Sequence, residues 1–168
     1  MSSPRTLVVI RHAKAESMAP TDAERSLTER GRADARALGA LLRDDGLNVE
    51  AALVSDATRA RETWEQLAGA AGWDLPPQID GSLYSADEDG VLERVREVPG
   101  DVRTVVVVGH NPTVSMLVQL LDDGEGSEAD LSGMPTGAAA VLDLGCAWSE
   151  VGPVCAHLRA FHVGRADD

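Results

Sequence analysis

Lysine is almost missing from this chain. Of its 15 basic residues only Lys14 is a lysine, and 28 acidic residues bring the formal net charge to −13, with a sequence pI near 4.6. So acidic a chain argues against nucleic acid or an anionic membrane as the primary partner, since both need clustered Lys and Arg. It leaves room for a small anionic ligand, because a local pocket can be basic on an acidic body. The lysine shortage by itself matches GC-rich coding and carries no functional reading.

Long apolar runs are missing too. Val105–Val108 is far below a membrane span of about 20 residues, and Leu7–Ile10, although preceded by Arg5, is too short for the apolar region of a secretory signal. Cysteine is scarce: Cys146 and Cys155 form neither a CxxC nor a metal-type spacing. They could face each other across a hairpin, but with no export signal two free thiols and a cytoplasmic location are the expectation. Internal repeats, low-complexity segments and interdomain linkers are absent. With 168 residues, 43% of them hydrophobic, the chain can bury a full core and is not a disordered spacer. One domain over residues 1–168 is expected, with 1–4 and 165–168 flexible.

What is present alternates between strand and helix patterns. Thr6–Ile10 reads as a strand buried on both faces. A polar loop follows to about Ser26. Thr28 then caps a helix with a stripe of Ala37, Leu38, Leu41 and Leu42, ending near Gly46. Ala51–Val54 is a second strand, and Ser55 and Asp56 offer caps for a helix carrying Trp64, Leu67, Ala68 and Ala71 up to the stop signal Gly72. The tryptophans Trp64 and Trp73 suit helix packing better than base stacking. Gln78–Asp80 is a brief strand, and Asp87 caps a helix with Val91, Leu92, Val95 and Val98. Thr104–Gly109 is the strongest strand. Pro112 suits the first position of a helix lined by Val114, Leu117, Val118 and Leu121 and closed by Gly124. An acidic loop over Asp122–Asp130 leads to two antiparallel strands, Ala138–Leu144 and Val154–Val163. The fold class this implies is α/β. It is a three-layer αβα sandwich on a mostly parallel central sheet, with an antiparallel edge strand or hairpin near the C-terminus.

In such sheets ligands bind beyond the carboxyl ends of the strands. Three of those ends carry unusual chemistry: Arg11-His12, Ser55 through Arg59 to Arg61, and His110-Asn111-Pro112. Set side by side, they bring two histidines and at least two arginines to one crevice. A guanidinium is permanently charged and grips two phosphate oxygens with its planar fork. The helix start at Asn111-Pro112 adds N–H groups and a positive dipole end. A neutral imidazole is a competent nucleophile at pH 7, and neighbouring arginines lower its pKa. His157 and His162, in the last strand, read as structural, and Arg61 as a surface residue.

These segments also resemble a known family. Arg11-His12-Ala13 resembles the Arg-His-Gly signature of the histidine phosphatase (phosphoglycerate-mutase-like) superfamily. Ser55 to Thr63 is similar to its Ser-x-x-x-Arg-Ala-x-x-Thr segment, Gly109-His110-Asn111-Pro112 to the segment supplying a second histidine, and Arg25 to Gly31 to the Leu-Thr-x-x-Gly opening of its first helix. The match runs over residues 6–122 in order. The short chain, without an inserted cap region, resembles the SixA-type phosphohistidine phosphatases. The resemblance implies His12 as nucleophile through a phosphohistidine intermediate. Arg11, Arg59 and His110 complete the phosphate pocket, Asn111 and Lys14 stand at the substrate, and the reaction needs no metal or other cofactor. The partner it implies is a phosphorylated protein carrying phosphohistidine, or a small phosphorylated metabolite such as a sugar phosphate or nucleotide. A phosphate-recognition module without catalysis is the remaining reading. Two departures from the family pattern stand out: Ala13 replaces Gly, setting a Cβ beside the phosphate site, and no general acid is evident. Glu16, Asp87, Glu88 and Asp89 are the acid candidates. A phosphohistidine substrate needs that acid least, since its imidazole can leave neutral.

Overall fold

The computed structural model describes residues 4–126 and 131–166. Part of the expected acidic loop (127–130), and of the ends expected to be flexible (1–3 and 167–168), lies outside the described residues. Arg165 donates to the carbonyls of Thr136 and Gly164, and the Ala166 amide donates to Asp34.

Six strands form one sheet: β1 (Arg5–Arg11), β2 (Ala51–Ser55), β3 (Gln78–Asp80), β4 (Thr104–Gly109), β5 (Ala138–Leu144) and β6 (Ala156–Val163), in the order β3-β2-β4-β1-β5-β6. The first four in that order are parallel, and β5 runs antiparallel to both β1 and β6. Side-chain alternation divides the sheet into two faces. Leu7, Val9, Val105 and Val107 pack with α4 (Glu88–Arg96) and α5 (Thr113–Leu121). Val8, Ile10, Val54, Val106 and Val108 pack with α1 (Glu29–Asp44) and α2 (Thr58–Ala71). Burial on both faces is why these strands are continuous apolar runs. The α/β three-layer architecture, with its antiparallel strands at the C-terminal side, is as the sequence implies. No helix among the described residues is long and apolar enough to cross a membrane.

Thr28 caps α1 by accepting from the Gly31 amide, Asp87 caps α4 through the Gly90 amide, and Gly72 ends α2 at φ +78°. Trp64 and Trp73 stack at 6.0 Å within the packing of α2. Cys146 and Cys155 are free thiols, with burial raising Cys146 to about 12.

Several boundaries differ from expectation, among them the end of α4, which stops at Arg96 before Val98. The N-cap of α2 is Ala57, because Ser55 and Asp56 are still leaving the strand. Pro112 is itself the N-cap of α5, so that helix starts one residue later, at Thr113, after a cis Asn111-Pro112 bond. The same helix ends at Leu121, short of Gly124. Val154 turns back at φ +62°, and β6 begins at Ala156. A four-residue helical turn, α3 (Ser82–Ser85), and a 3-10 turn at Asp22–Glu24 have too little periodicity to be read from sequence.

Candidate active site

Register sets the site. Arg11 pairs with Gly109 and Val54 with Val108, so β1, β4 and β2 end level with one another. The residues that follow, His12 and His110, therefore emerge side by side, with ring centroids 5.3 Å apart. Arg59 arrives from the first turn of α2.

His12 is buried, and its Nδ1 lies 2.8 Å from the Ala13 carbonyl. A carbonyl only accepts, so Nδ1 carries the proton and Nε2 keeps its lone pair. Nε2 accepts from Arg59 Nε at 3.3 Å. Burial, reinforced by the charges of His110, Arg59 and Arg11, lowers the His12 pKa to about 3, so the ring is neutral at pH 7. His110 is lowered to about 4, again by burial first and Arg59 next, and its Nε2 sits 2.8 Å from the Ser55 hydroxyl.

The arginines are fixed by the backbone. Arg11 donates from Nη1 to the Met134 carbonyl at 3.0 Å, while its buried Nε has no partner among the described residues. Asn111 donates to that same carbonyl and accepts from the Ser115 amide and hydroxyl, so both ends of its side chain are engaged within the protein. The amides of Val114, Ser115 and Met116 at the start of α5 are likewise bonded internally. Arg59 is held from outside: Nη1 donates to the Asp22 carbonyl at 2.9 Å and Nη2 to its carboxylate at 3.1 Å. Tyr84, from α3, donates its hydroxyl to that carboxylate as well. Among the described residues no group of three or more His, Cys, Asp and Glu is placed to hold a metal ion.

Two neutral imidazoles between two arginines, at the carboxyl ends of parallel strands, form a pocket suited to an oxyanion. The histidine phosphatase superfamily (branch 1) model matches residues 7–87, which contain Arg11, His12 and Arg59. An uncharacterized protein of Mycobacterium tuberculosis is 38% identical over 162 residues, covering 93% of this chain and all of that one. A candidate phosphohistidine phosphatase, SixA, from Nakamurella multipartitia superposes with a TM-score of 0.84 at 32% identity, covering 97% of this chain and 98% of that one.

The chain belongs to the histidine phosphatase superfamily.

Within it, the chain is of the SixA-type branch. A protein histidine phosphatase SixA complexed with tungstate shares the fold, with a TM-score of 0.81 at 23% identity over 95% of this chain and 97% of that one. These likenesses support a phosphatase. His110 lies beyond the matched segment and reaches the site through the pairing of β4 with β1.

Hydrogen bonds tie several of the motif residues together. Ser55 partners His110. Thr63 accepts from the Ala13 amide at 3.0 Å while donating to the Arg59 carbonyl, tying the residue after His12 to α2. Ala13 is fully buried in a small apolar cluster with Leu27 and Ala35. Lys14 is exposed and lines a hollow of about 390 Å³ with Arg30, Asp34, Thr136 and Arg165. Glu16 is exposed in the β1–α1 loop. Asp87 is occupied as a helix cap, and Glu88 and Asp89 stand in the first turn of α4.

Sequence reasoning missed Asp22 and Tyr84. Asp22 is one of 28 acidic residues in the chain, in a loop without periodicity, and nothing local marks it. Its position three residues before Arg25, which opens the Leu-Thr-x-x-Gly segment and binds it at 2.9 Å, is the one available signal.

Proposed function

We propose that this protein removes the phosphoryl group from phosphohistidine in a protein, through a covalent phosphohistidine at His12. The observation that carries the reading is the His12 tautomer. With Nδ1–H donated to Ala13, Nε2 presents its lone pair at Arg59, with the Arg11 charge also acting on the ring. As the Nε2–P bond forms, the substrate's N–P bond breaks and its electron pair stays on the departing imidazole nitrogen. That imidazole leaves neutral when its other nitrogen carries a proton. Water then attacks phosphorus, the His12–P bond breaks, and phosphate departs with the water oxygen. Arg11 and Arg59 offset the charge on the equatorial oxygens, with His110 beside them.

The choice of an N-phosphoryl substrate over an ester is supported by the ionised state of the carboxylate that Arg59 holds. The carboxylate bonded to Arg59, Asp22, is lowered to about 2 by Tyr84, then Arg59 and Arg25, so it is ionised at neutral pH and has no proton to give an alkoxide. Asn111 and Lys14 act in this reading as a brace for Arg11 and as a contact for the outer part of the substrate.

Labelled phosphoryl trapped on the enzyme should be acid-labile and alkali-stable, and absent from His12→Ala. A kcat/KM on a phosphohistidine protein more than about a hundredfold above that on sugar phosphates and nucleotides, about 2.7 kcal/mol of transition-state energy, is the expected preference. Full turnover by His12→Ala sinks the mechanism, and a preference for esters sinks the substrate assignment.

A further inference from the structure

Each of the three guanidinium nitrogens of Arg59 makes a hydrogen bond inside the protein. Nε bonds the nucleophile's Nε2 at 3.3 Å, Nη1 the Asp22 carbonyl at 2.9 Å, and Nη2 the Asp22 carboxylate at 3.1 Å. Asp22 is itself gripped from two further sides. Arg25 donates to its other carboxylate oxygen, and Tyr84, across from it on α3, donates a hydroxyl to the oxygen that meets Arg59. The Tyr84 ring also stands edge-on to His110 at 5.6 Å, with the Arg59 guanidinium 5.8 Å from its centroid. Two segments distant in sequence thus meet over the pocket.

Asp22 meets both terminal nitrogens of the guanidinium, one through its backbone carbonyl and one through a carboxylate oxygen, the two positions that the oxygens of a phosphoryl group take on such a fork. Arg59 is almost fully buried, with 7% of its side chain exposed, whereas that of Asp22 is 53% exposed. The arginine is therefore the fixed partner and the aspartate the displaceable one.

We infer that Asp22 is a latch on the phosphate pocket: it occupies Arg59 while no phosphoryl group is bound, and moves aside with Tyr84 when one enters. The inference rests on Arg59 being a phosphoryl ligand, as the proposed function has it. A ligand that requires the open form sees its dissociation constant multiplied by one plus the closed-to-open ratio. By the same linkage, reclosure of Asp22 on Arg59 promotes release of the product phosphate. Asp22 in this role is not a catalytic residue, since it leaves as the substrate arrives.

Orthophosphate is the probe, its binding measured by calorimetry on the whole protein. Asp22→Asn and Asp22→Ala should bind it about tenfold more tightly than wild type, and Arg59→Ala should lose it. Removing any carboxylate also removes general repulsion, so two further variants separate the effects. Asp56→Asn neutralises an exposed charge that acts on His110 but has no bond to Arg59; it should change affinity less than about threefold. Tyr84→Phe alters no charge, and by loosening Asp22 it should tighten phosphate binding severalfold. Unchanged or weaker binding in a folded Asp22→Asn, checked by its melting temperature, would falsify the latch and make Asp22 a support for Arg59. An effect of Asp56→Asn as large as that of Asp22→Asn overturns it too. Tightening in Asp22→Asn without turnover of any phosphohistidine substrate leaves the latch standing and removes the proposed activity.

Discussion

His12 and His110 hold their rings neutral at a cost that is paid in acid. In the unfolded chain each titrates at the ordinary value near 6.5, but in the fold they are depressed to about 3 and about 4, burial being the main cause in both. Below pH 6.5 the unfolded state therefore binds protons that the folded state refuses. Stability falls as the pH drops from 6.5 towards the folded values and levels off below them. For His12, which is well buried, the loss between pH 7 and pH 5 is about 2 kcal/mol. His12→Gln keeps a polar side chain of similar size without the titration. Its stability by denaturant unfolding should fall less than that of wild type over the same interval. Equal losses in the two proteins would mean that His12 is not held neutral by the fold. The same depression keeps the His12 lone pair available through the whole neutral range, which links the stability reading to the proposed chemistry.

Element-scale order comes from close backbone approaches that the motifs hide. Gly31 is in the first turn of α1, and a Cβ built there would lie 2.0 Å from the Lys14 carbonyl oxygen. That carbonyl also accepts from the Thr28 amide at 3.0 Å, so the strand–loop–helix junction is locked two residues from His12. Gly31→Ala must push the loop off the helix. It should cost about 1–3 kcal/mol of stability and depress kcat together with melting temperature. Gly46→Ala, where nothing lies within 4 Å of the added carbon, is strained only by its own φ of +77° and should leave kcat unchanged. Equal kcat in the two variants would show that this contact does not position the site. The same elements mark what could be read in advance. Four parallel strands, their order of chemistry-bearing ends and the caps Thr28 and Asp87 follow from apolar runs and cap residues, which are local signals. The pairing of Ser55 with His110, and Asp22 and Tyr84 altogether, escaped because the partners lie 55, 37 and 62 residues apart in sequence, and α3 is too short to show a period. Pro112 misplaced the start of α5 by one residue because its fixed φ suits both the cap and the first helical position.

The whole molecule presents a negative field around a positive pocket. At a net charge of −13 the body repels any approaching anion until it is within a few ångströms of Arg11 and Arg59. Beyond that distance only the summed charge counts, and salt screens it over about 8 Å at 0.15 M. A small dianionic ester should therefore react faster as salt is added. Its kcat/KM should climb about threefold or more between 10 mM and 150 mM potassium chloride, since screening removes repulsion that bound and reacting states both feel. A phosphohistidine presented on a basic protein surface should behave in the opposite sense, because the acidic body attracts it and salt weakens that attraction. Measuring kcat/KM for one substrate of each kind across the same salt series gives two slopes of opposite sign if the long-range field selects the partner. Two negative slopes would mean that the pocket arginines dominate even at a distance and that the acidic surface plays no part in choosing substrates.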